Sequence, residues 1–367
     1  MKIAILGTRG IPKNYGGFEQ NAENLALYFV KKGHDVTVYN PDYHPFKESE
    51  WKGIKIRKIF SREDKIGLFG NLLYDFLCLR DAIKREFDII LELGVPASIF
   101  YFLKNKNSVI VTNIDGLEWK RSKWNKIAKL FLKYCERQAI KKSDAIITDN
   151  PGIQKYVEIV YGFKPYYIGY GAAQEIFRSP DERYLEEFGV EKYKYYLMIG
   201  RLEPENNIEM ILDGYLMSGS TEPFLVVAKY SIKYRKYLMK KYSKQKSIKF
   251  IGGIYGRDHV LNNLRYFAKI YFHGHSVGGT NPSLLEAMNA GAYIAAHDNE
   301  FNRYVLGENA FFFKTEEDVK NIILYYDDAK RELFREQNWE RIKKEFNWQS
   351  VSEKYLQVFD EVFKKRR

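Results

Sequence analysis

The first part of the chain shows two patterns of apolar residues: short continuous runs, which are typical of buried strands, and residues at helical spacing. The apolar run 2–6 ends at Gly7 and predicts a buried strand that opens into a loop. Over 18–32 the apolar residues recur at helical spacing, Gly33 ends the helix, and a second apolar run follows at 35–40. This order predicts a strand, a helix and a parallel strand.

The same alternation continues to the end of the chain. Further strands are predicted at 54–59, 88–93, 108–113, 144–148 and 165–168, with helices at 70–86 and 122–142. After the turn-rich segment 169–182, strands are predicted at 195–199, 224–228, 247–251, 269–272 and 292–296, with helices near 206–217, 232–243, 257–266, 283–290 and 316–326. Strands and helices in this order are typical of a doubly wound parallel sheet.

The pattern therefore predicts two α/β domains, at 1–172 and 173–348. An amphipathic helix at 350–363 follows, and we expect the segment 349–367 to pack back on the first domain.

Composition adds charge to this picture. The chain has 367 residues, is 45% hydrophobic and has a formal net charge of +12. Residues 101–150 carry 11 Lys or Arg against 5 Asp or Glu, and residues 201–250 carry 10 against 5. Two local basic surfaces are expected, and nucleic acid, an anionic membrane or a phosphorylated small ligand would each be attracted to them.

The cysteines and the hydropathy of the chain argue against a disulfide framework, a zinc site and a membrane-spanning helix. Cys78 and Cys135 lie in stretches that predict apolar helix faces, and neither has a partner at metal-ligand spacing. No apolar run approaches the roughly 18 residues of a membrane span, and no leader pattern precedes the first strand. We expect a cytoplasmic protein that contacts a membrane only peripherally, from the cytoplasmic face.

Three loops that follow strands are candidates for ligand binding, because ligands of open parallel sheets bind beyond the carboxyl ends of strands. In the first, Gly16 and Gly17 precede a helix, which suits an anion, although a tight turn explains them equally well. In the second, Arg201 leaves a strand and offers a planar fork to a diphosphate; a surface ion pair with Glu203 or Glu205 is the alternative.

The third loop is HGHSVGGTNPSLLEAM, residues 273–288. Its glycines allow close backbone approach, Ser283 is expected to cap a helix, and Glu286 could accept hydrogen bonds from vicinal hydroxyls such as those of a ribose. A capping box of Ser283 and Glu286, which needs no ligand, is the alternative. His273 or His275 could contact a sugar or be packed in the core.

As a set, these motifs resemble family 4 retaining glycosyltransferases of the GT-B fold over essentially the whole chain. The motifs GTRGIPKNYGGFE, DGLEWKRSKW, GRLEPENNIEMIL and HGHSVGGTNPSLLEAM are similar to the bacterial rhamnosyltransferase subgroup, which uses dTDP-L-rhamnose. The resemblance implies two Rossmann-like domains that face a central cleft. It also implies a donor site that comprises Gly16, Gly17, Arg201, Asn206, Lys229, Gly279, Thr280, Asn281, Ser283, Leu284 and Glu286.

Within that site the resemblance implies specific roles. Gly17, Arg201 and the amides of Ser283 and Leu284 would contact the diphosphate, and Glu286 would hold the ribose. Two positions depart from the wider superfamily, which has Glu where this chain has Gly278 and Lys where it has Asn206. A 6-deoxy sugar could explain the first departure, and Lys229 could assist Arg201 after the second.

The reaction implied by the resemblance requires charge stabilisation at the leaving diphosphate more than covalent machinery. With Arg201 and helix amides in that role, no metal or other cofactor is expected, and the sequence contains no Asp-x-Asp motif. Asp115 is a candidate catalytic residue beside Arg201 and Glu286, although Asp-Gly is also a common turn.

An acceptor or membrane surface is expected after Asp115. The helix predicted around 122–142 would place Trp124, Ile127, Phe131 and Cys135 on one face and lysines on another, which suits an anionic bilayer. A sheet-covering helix with a solvated basic face is the alternative. The residues of this expected surface are Glu118, Trp119, Lys120, Arg121, Lys123, Trp124, Lys126, Lys129 and Lys133.

The sequence thus favours a rhamnosyltransferase, at the inner face of the cell membrane, that acts on a polyprenyl-diphosphate-linked sugar in polysaccharide synthesis. A transferase that uses a UDP-hexose or GDP-mannose, a sugar-nucleotide epimerase and a non-catalytic basic binding protein are the alternatives. Nucleic acid is not an expected partner, because no nucleic-acid-binding motif is present.

Overall fold

The computed structural model describes residues 1–13, 16–114, 116–121, 124–172, 175–229 and 232–366, apart from the side chains of 64, 65, 68, 229, 232 and 233. The chain forms two compact units. The first contains residues 1–171 together with 348–367, and the second contains residues 172–347.

The described residues of the first unit include an eight-stranded sheet in the order β3-β4-β2-β1-β5-β6-β7-β8. Neighbouring strands are parallel except β3 and β4, which are antiparallel. Its strands are β1 (Lys2–Leu6), β2 (Asp35–Pro41), β3 (Glu50–Trp51), β4 (Ile54–Ile59), β5 (Ile89–Leu93), β6 (Val109–Ile114), β7 (Ala145–Thr148) and β8 (Tyr166–Tyr167). The parallel strands place the loops after β1, β5 and β6 at one edge of the sheet.

Helices complete the first unit. They are α1 (Gly17–Lys31), α2 (Glu63–Ile66), α3 (Leu68–Lys84), α4 (Lys126–Lys142), α5 (Pro151–Tyr161) and, at the end of the chain, α13 (Trp348–Arg366). Short 3₁₀ segments lie at Pro96–Leu103 and Glu118–Lys120. The helix α13 packs on α1, where the rings of Phe29 and Phe359 meet edge to face at 5.6 Å.

The second unit is a six-stranded parallel sheet, in the described residues, with the order β11-β10-β9-β12-β13-β14. Its strands are β9 (Tyr196–Arg201), β10 (Phe224–Lys229), β11 (Ile248–Gly252), β12 (Ile270–His273), β13 (Ile294–His297) and β14 (Phe311–Phe313). Its helices are α6 (Ile208–Met217), α7 (Ile232–Lys241), α8 (Asp258–Phe267), α9 (Pro282–Asn289), α10 (Glu300–Leu306), α11 (Glu316–Tyr325) and α12 (Arg331–Glu345). Further 3₁₀ segments lie at Glu182–Phe188, Pro204–Asn206 and Asp328–Lys330.

Aromatic rings fill the core of the second unit between the sheet and α6. Phe224 and Phe272 stack with centroids 5.7 Å apart, and Tyr215 meets Phe224 edge to face at 5.2 Å. Rings of this size each remove a large apolar surface from water, so this contact contributes strongly to the stability of the unit.

The predicted α/β order is confirmed in both units, but the hydrophobic pattern missed several elements. The strands β3 and β14 and the helices α2 and α10 are too short to show a period. In α12 the buried positions include Arg331, Arg335 and Asn338, so the packed face does not look apolar in the sequence. No helix among the described residues is long and apolar enough to cross a bilayer.

Close packing of α6 against α11 depends on Gly214. A Cβ atom at this position would lie 2.5 Å from the carbonyl oxygen of Glu316 and 2.6 Å from Cβ of Val319. These contacts are too short for any side chain, so a substitution must separate the two helices.

We expect Gly214→Ala to lower the free energy of unfolding by about 1–3 kcal/mol, because overpacking outweighs the better helix propensity of alanine. Chemical denaturation checks this, with Met217→Ala on an exposed position of the same helix as a near-neutral control. An alanine variant as stable as the wild type would show that the helices can part without cost.

Candidate functional site

The candidate site of the second unit lies where three adjacent strands end. The strands β9, β12 and β13 are neighbours in the sheet and end at Arg201, His273 and His297. Arg201, the loops after β9 and β12 and the helix α9 together carry most of the residues that the sequence singles out for binding a donor. Parallel pairing therefore brings segments more than 70 positions apart in sequence to one edge.

A buried amide joins the first two of these loops. Asn206 donates from Nδ2 to the carbonyl oxygen of Arg201 at 2.7 Å, and its Oδ1 lies 2.9 Å from Nδ1 of His275. The loops approach so closely that a Cβ atom on Gly274 would lie 2.0 Å from the carbonyl oxygen of Asn206. Asn207 adds a hydrogen bond from its Nδ2 to the Gly274 carbonyl at 2.7 Å. We call this arrangement of residues 201–207 and 274–275 the amide clasp.

The loop after β13 is attached to the same point. Asn299 and Asn302 both donate from Nδ2 to the carbonyl oxygen of His275, at 3.1 and 3.0 Å. The side chains that hold these loops are therefore mostly neutral amides, and Asn206, a predicted donor-binding residue, has both ends of its amide engaged within the protein.

Arg201 stands at the outer side of the clasp. Its side chain is 45% exposed, and Nη1 lies 3.4 Å from Oε1 of Glu203. The ion pair expected as the alternative is thus present. Such a partly exposed pair contributes little to stability, so Arg201 can exchange Glu203 for a more highly charged anion at small cost.

The helix α9 begins differently from the sequence expectation. Asn281, not Ser283, is the N-cap: its Oδ1 accepts the Ser283 amide at 2.9 Å, and Pro282 occupies the first helical position. The Leu284 amide donates to the Asn281 carbonyl at 3.0 Å. Both amides that the resemblance assigns to a diphosphate are therefore engaged in the cap, and an anion must displace the Asn281 side chain to reach the Ser283 amide. The adjacent Thr280 is buried.

Glu286 has a partner that the sequence did not reveal. The capping box is absent, and Oε2 of Glu286 accepts from Nη2 of Arg265 at 2.7 Å. Arg265 lies on α8 and is buried. It was missed because its helix shows an ordinary amphipathic pattern, in which an arginine is expected to face solvent.

The backbone at Gly278 favours glycine. Its φ is +124°, a conformation that side chains disfavour, and a Cβ atom there would lie 3.2 Å from Nε2 of His275. A glutamate at this position would be strained in this loop. The neighbouring Gly279 completes the turn before Asn281.

His273 is buried at the end of β12, and its Nε2 has no hydrogen-bond partner among the described residues. Burial, helped by the charges of Arg265 and His297, lowers its pKa to about 3. His273 is therefore neutral at physiological pH. A buried neutral ring of this kind can donate or accept one hydrogen bond, and it cannot carry charge to a phosphate.

The glycine loop of the first unit is described from Gly16 onward, and Asn14 and Tyr15 lie outside the described residues. Gly16 is the N-cap of α1, and its amide donates to Oε2 of the buried Glu19 at 2.8 Å. The Gly17 carbonyl accepts from the hydroxyl of Tyr170. The protein's own carboxylate thus occupies this helix N-terminus, which weakens the expectation that the Gly16 amide holds an anion.

The expected acceptor surface is only partly described. Asp115, Lys123 and the side chain of Lys229 lie outside the described residues, so their assigned roles remain predictions. Glu118 pairs with Arg121 at 2.7 Å and accepts from the indole of Trp124 at 3.1 Å. These contacts tie Glu118 to Arg121 and Trp124.

Trp119 also belongs to a structural network. Its Nε1 donates to the buried Glu136 of α4 at 3.1 Å, and Nζ of Lys133 lies 4.9 Å from the ring centroid. Lys120 lies 5.6 Å from the same ring. The segment is therefore held against α4 by its own side chains.

The predicted apolar face of α4 is wrong in part. Cys135 is buried with Leu132 and Ala139, but Ile127 is exposed, as are Leu130 and Tyr134. The buried side also includes Glu136, whose Oε1 accepts from two tyrosine hydroxyls. Because a glutamate lies on the packed side, the buried face of α4 is rotated around the helix axis relative to the face that its hydrophobic residues predicted.

Buried His273 predicts a pH dependence of stability. In the unfolded chain the imidazole of His273 binds a proton below about pH 6.5, whereas in the folded protein it binds one only below about pH 3. The free energy of unfolding therefore falls as the pH drops between these two values. We expect His273→Asn to lose less stability than the wild type between pH 7 and about pH 5. Denaturation at both pH values checks this, with His259→Asn at an exposed site of α8 as the control. Equal losses in wild type and His273→Asn would contradict the burial argument.

Comparisons with known proteins agree with this architecture. Residues 1–173 match the family model described as a domain of unknown function (DUF1972), and residues 181–345 match the model Glycosyl transferases group 1. No curated protein sequence matches the chain.

Among solved structures, sucrose-phosphate synthase from Thermosynechococcus elongatus is similar with a TM-score of 0.82, 16% identity and 99% coverage of both chains. A glycosyltransferase from Rickettsia africae has a TM-score of 0.74, 16% identity and 99% coverage of both chains. HepE of Anabaena in complex with UDP has a TM-score of 0.74 and 15% identity, and covers 98% of this chain and 100% of its own. Residues 181–345 therefore match the model of a group 1 glycosyltransferase domain, and the two parallel-sheet domains of the chain have the GT-B fold.

Proposed function

We propose that this protein is a retaining glycosyltransferase that moves L-rhamnose from dTDP-L-rhamnose onto a polyprenyl-diphosphate-linked sugar in bacterial cell-surface polysaccharide synthesis. The observation that carries the proposal is the convergence of Arg201, the amide clasp and the start of α9 at one edge of the group 1 domain. This edge offers a cation and a helix N-terminus to a diphosphate.

The leaving diphosphate is the group that most needs stabilisation in such a transfer. Arg201 is partly exposed and its ion pair with Glu203 is 3.4 Å long, so its guanidinium can turn to a diphosphate and bind it through two parallel hydrogen bonds. The N-terminus of α9 adds favourable dipole charge, and its cap opens when the Asn281 side chain moves aside. Arg201 and Glu286 are the proposed catalytic residues of this domain, and Asp115 is the proposed acceptor-side residue.

A nucleotide sugar as donor is supported by two of the similar structures, in which HepE of Anabaena is in complex with UDP and glucose or with UDP-glucose. Rhamnose in particular is supported by Gly278. Because φ at this residue is +124°, the loop disfavours a carboxylate side chain that would bind sugar hydroxyls, and a 6-deoxy sugar presents one hydroxyl fewer.

No metal ion or cofactor is part of the proposal. Among the residues that the structure describes, no cluster of three His, Cys, Asp or Glu side chains could hold a metal ion. The charge of Arg201 and the amides of α9 supply the stabilisation that a metal would otherwise give.

A donor screen tests the proposed reaction. Purified protein is mixed with dTDP-rhamnose, UDP-glucose, UDP-N-acetylglucosamine or GDP-mannose and a polyprenyl-diphosphate-linked N-acetylglucosamine acceptor, and product mass is measured. We expect transfer from dTDP-rhamnose, with kcat lowered about 10²- to 10³-fold by Arg201→Ala. Arg183→Ala, which removes an exposed arginine paired with Asp181 in the 3₁₀ segment Glu182–Phe188, serves as the charge-matched control.

Each other outcome of the screen identifies an alternative. Transfer from a UDP-hexose or GDP-mannose alone would replace rhamnose as the donor sugar. If no donor gives a product and no nucleotide binds, the transferase proposal is overturned and a non-catalytic basic binding protein is favoured.

We further propose that α4 rests on the anionic inner face of the cell membrane, where a lipid-linked acceptor would lie. Ile127, Leu130 and Tyr134 are 79%, 71% and 55% exposed and follow one stripe of the helix. Lys126, Lys133, Arg137 and Lys141 are exposed on the same helix. Exposed apolar side chains between basic ones suit an interface whose headgroups are negative and whose interior is apolar.

Vesicle binding tests this surface. The double variant Ile127→Asn/Leu130→Asn should bind vesicles of phosphatidylcholine and phosphatidylglycerol at least about tenfold more weakly, because two apolar side chains no longer leave water. Sedimentation with vesicles measures this, and Ile159→Asn, at an exposed apolar position of α5 in the same unit, is the matched control. Equal binding by the wild type and both variants would exclude α4 as the membrane surface.

A further inference from the structure

The helices that cover the sheet of the first unit lie in two layers. In β6, Oγ1 of Thr112 lies 2.7 Å from the hydroxyl of Tyr101, in the 3₁₀ segment Pro96–Leu103. The next residue, Asn113, donates instead to the hydroxyl of Tyr355 on α13. Because successive residues of a strand point to opposite faces, the 3₁₀ segment and α13 lie on opposite faces of the sheet.

Two helices flank the 3₁₀ segment. The ring of Phe100 meets that of Phe76 on α3 edge to face at 5.2 Å, and Oγ of Ser98 donates to the Cys135 carbonyl of α4 at 2.6 Å. We call these three elements the α3–α4 layer. Neighbouring helices pack about 10 Å apart, so α3 and α4 are about 20 Å from each other. The opposite layer, formed by α1 and α13, is the α1–α13 layer.

Large apolar side chains are exposed on every element of the α3–α4 layer. Phe69 and Leu73 of α3 are 77% and 39% exposed, and Phe102 of the 3₁₀ segment is 68% exposed. Phe69 and Leu73 are four residues apart and therefore lie on one side of their helix. Since α3 and α4 cover the same face of the sheet, these side chains and the exposed Ile127 and Leu130 of α4 point away from the sheet in the same direction.

The α1–α13 layer is different. Among the described residues of α1 and α13, no large apolar side chain is exposed. The exposed charges of α13 have both signs and include Asp360, Glu361 and Lys364. An apolar surface confined to one layer of the unit is more than a scatter of single exposed residues, so it indicates an interaction surface.

The charge of the α3–α4 layer indicates the partner. Within the described side chains of α3, the 3₁₀ segment and α4, the exposed charged residues are all basic: Arg80, Lys84, Lys126, Lys133, Arg137 and Lys141. The acidic residues Asp75 and Glu136 are buried, and Asp81 is paired with arginines. Apolar side chains between cations match a surface that is apolar inside and negative outside, which is the chemistry of an anionic bilayer.

We propose that the α3–α4 layer is one membrane-contacting surface, which binds an anionic bilayer through α3, the 3₁₀ segment and α4 together. The proposal rests on the α4 surface proposed above and adds a second contact, on α3, about 20 Å away from it. A single helix would leave the unit free to rotate about its axis. Two contacts fix the orientation, with the sheet parallel to the bilayer and α13 turned away from it.

This orientation determines how a lipid-linked acceptor reaches the protein. The α3–α4 layer is one helix thick, which is about 10 Å, so the sheet stands roughly that far above the headgroups. The loops after β1, β5 and β6 then open sideways, along the membrane surface. A sugar linked to a membrane diphosphate extends into the same zone, so it can approach this edge while its lipid tail stays in the bilayer.

Vesicle sedimentation tests the contact on α3. Phe69→Asn/Leu73→Asn should bind vesicles of phosphatidylcholine and phosphatidylglycerol about tenfold more weakly than the wild type, because two apolar side chains no longer leave water. Its melting temperature should not change, since both positions are exposed. The matched control is Leu324→Asn/Tyr325→Asn, at positions that are 45% and 77% exposed on α11, which begins with two glutamates. This control should bind as the wild type does.

A fluorophore tests the orientation. A nitrobenzoxadiazole group attached to the thiol of Phe69→Cys or Phe102→Cys should shift its emission to shorter wavelength when vesicles are added, because it enters an apolar environment. The same label on Asp360→Cys, at an exposed position of α13, should show no shift. The native cysteines, Cys78 and Cys135, are buried and therefore protected from the label.

Different results would contradict different parts of the proposal. If the α3 variant binds like the wild type and the label at position 69 shows no shift, α4 alone contacts the membrane. An equal shift at position 360 would overturn the orientation, and equal binding to vesicles of phosphatidylcholine alone would overturn the anionic partner. A wild type that binds no vesicles would overturn both membrane surfaces. The donor screen decides separately on the transferase, because vesicle binding requires neither donor nor acceptor.

Discussion

The buried side-chain amide of Asn206 is the contact on which the candidate site depends most. It bridges the carbonyl of Arg201 and the ring of His275, and so fixes where the ends of two strands lie relative to each other. Hydrogen bonds of this kind each contribute about 1 kcal/mol to stability. Separating the loops would leave buried polar groups without partners, which costs more, so this penalty is the main term that keeps the loops together. The close approach of Asn206 to Gly274 leaves no room for a side chain at position 274.

Around this contact, neutral and charged groups have different roles in the site. Amides of Asn206, Asn207, Asn299 and Asn302 position the loops, and salt screens such contacts between neutral groups little. Two charged groups of the site are those that the proposed donor would meet: Arg201 at the surface, and Glu286 in its pair with Arg265. Breaking the buried pair leaves an uncompensated charge, whereas the surface pair can change partners freely.

The sequence predicted the alternation of strands and helices well, because a buried parallel strand and a sheet-covering helix differ in period. It failed where a polar side chain occupies a packed position, as Glu136 does on α4 and Arg335 does on α12. For the site it indicated the right loops but not the partners within them. That Asn281 and not Ser283 caps α9, and that Arg265 reaches Glu286, depends on chain paths that bring distant segments together, which no local spacing records.

The discontinuity of the first unit has a consequence for biosynthesis. Its strands are made before the second unit, but α13, which packs on Phe29 of α1 and whose Tyr355 hydroxyl accepts a hydrogen bond from Asn113 of β6, is made after it. The second unit is continuous from 172 to 347, so all of its strands leave the ribosome before the first unit has its final helix. The face of α1 that α13 covers, with Phe29 on it, therefore stays without its partner until the whole second unit has been made.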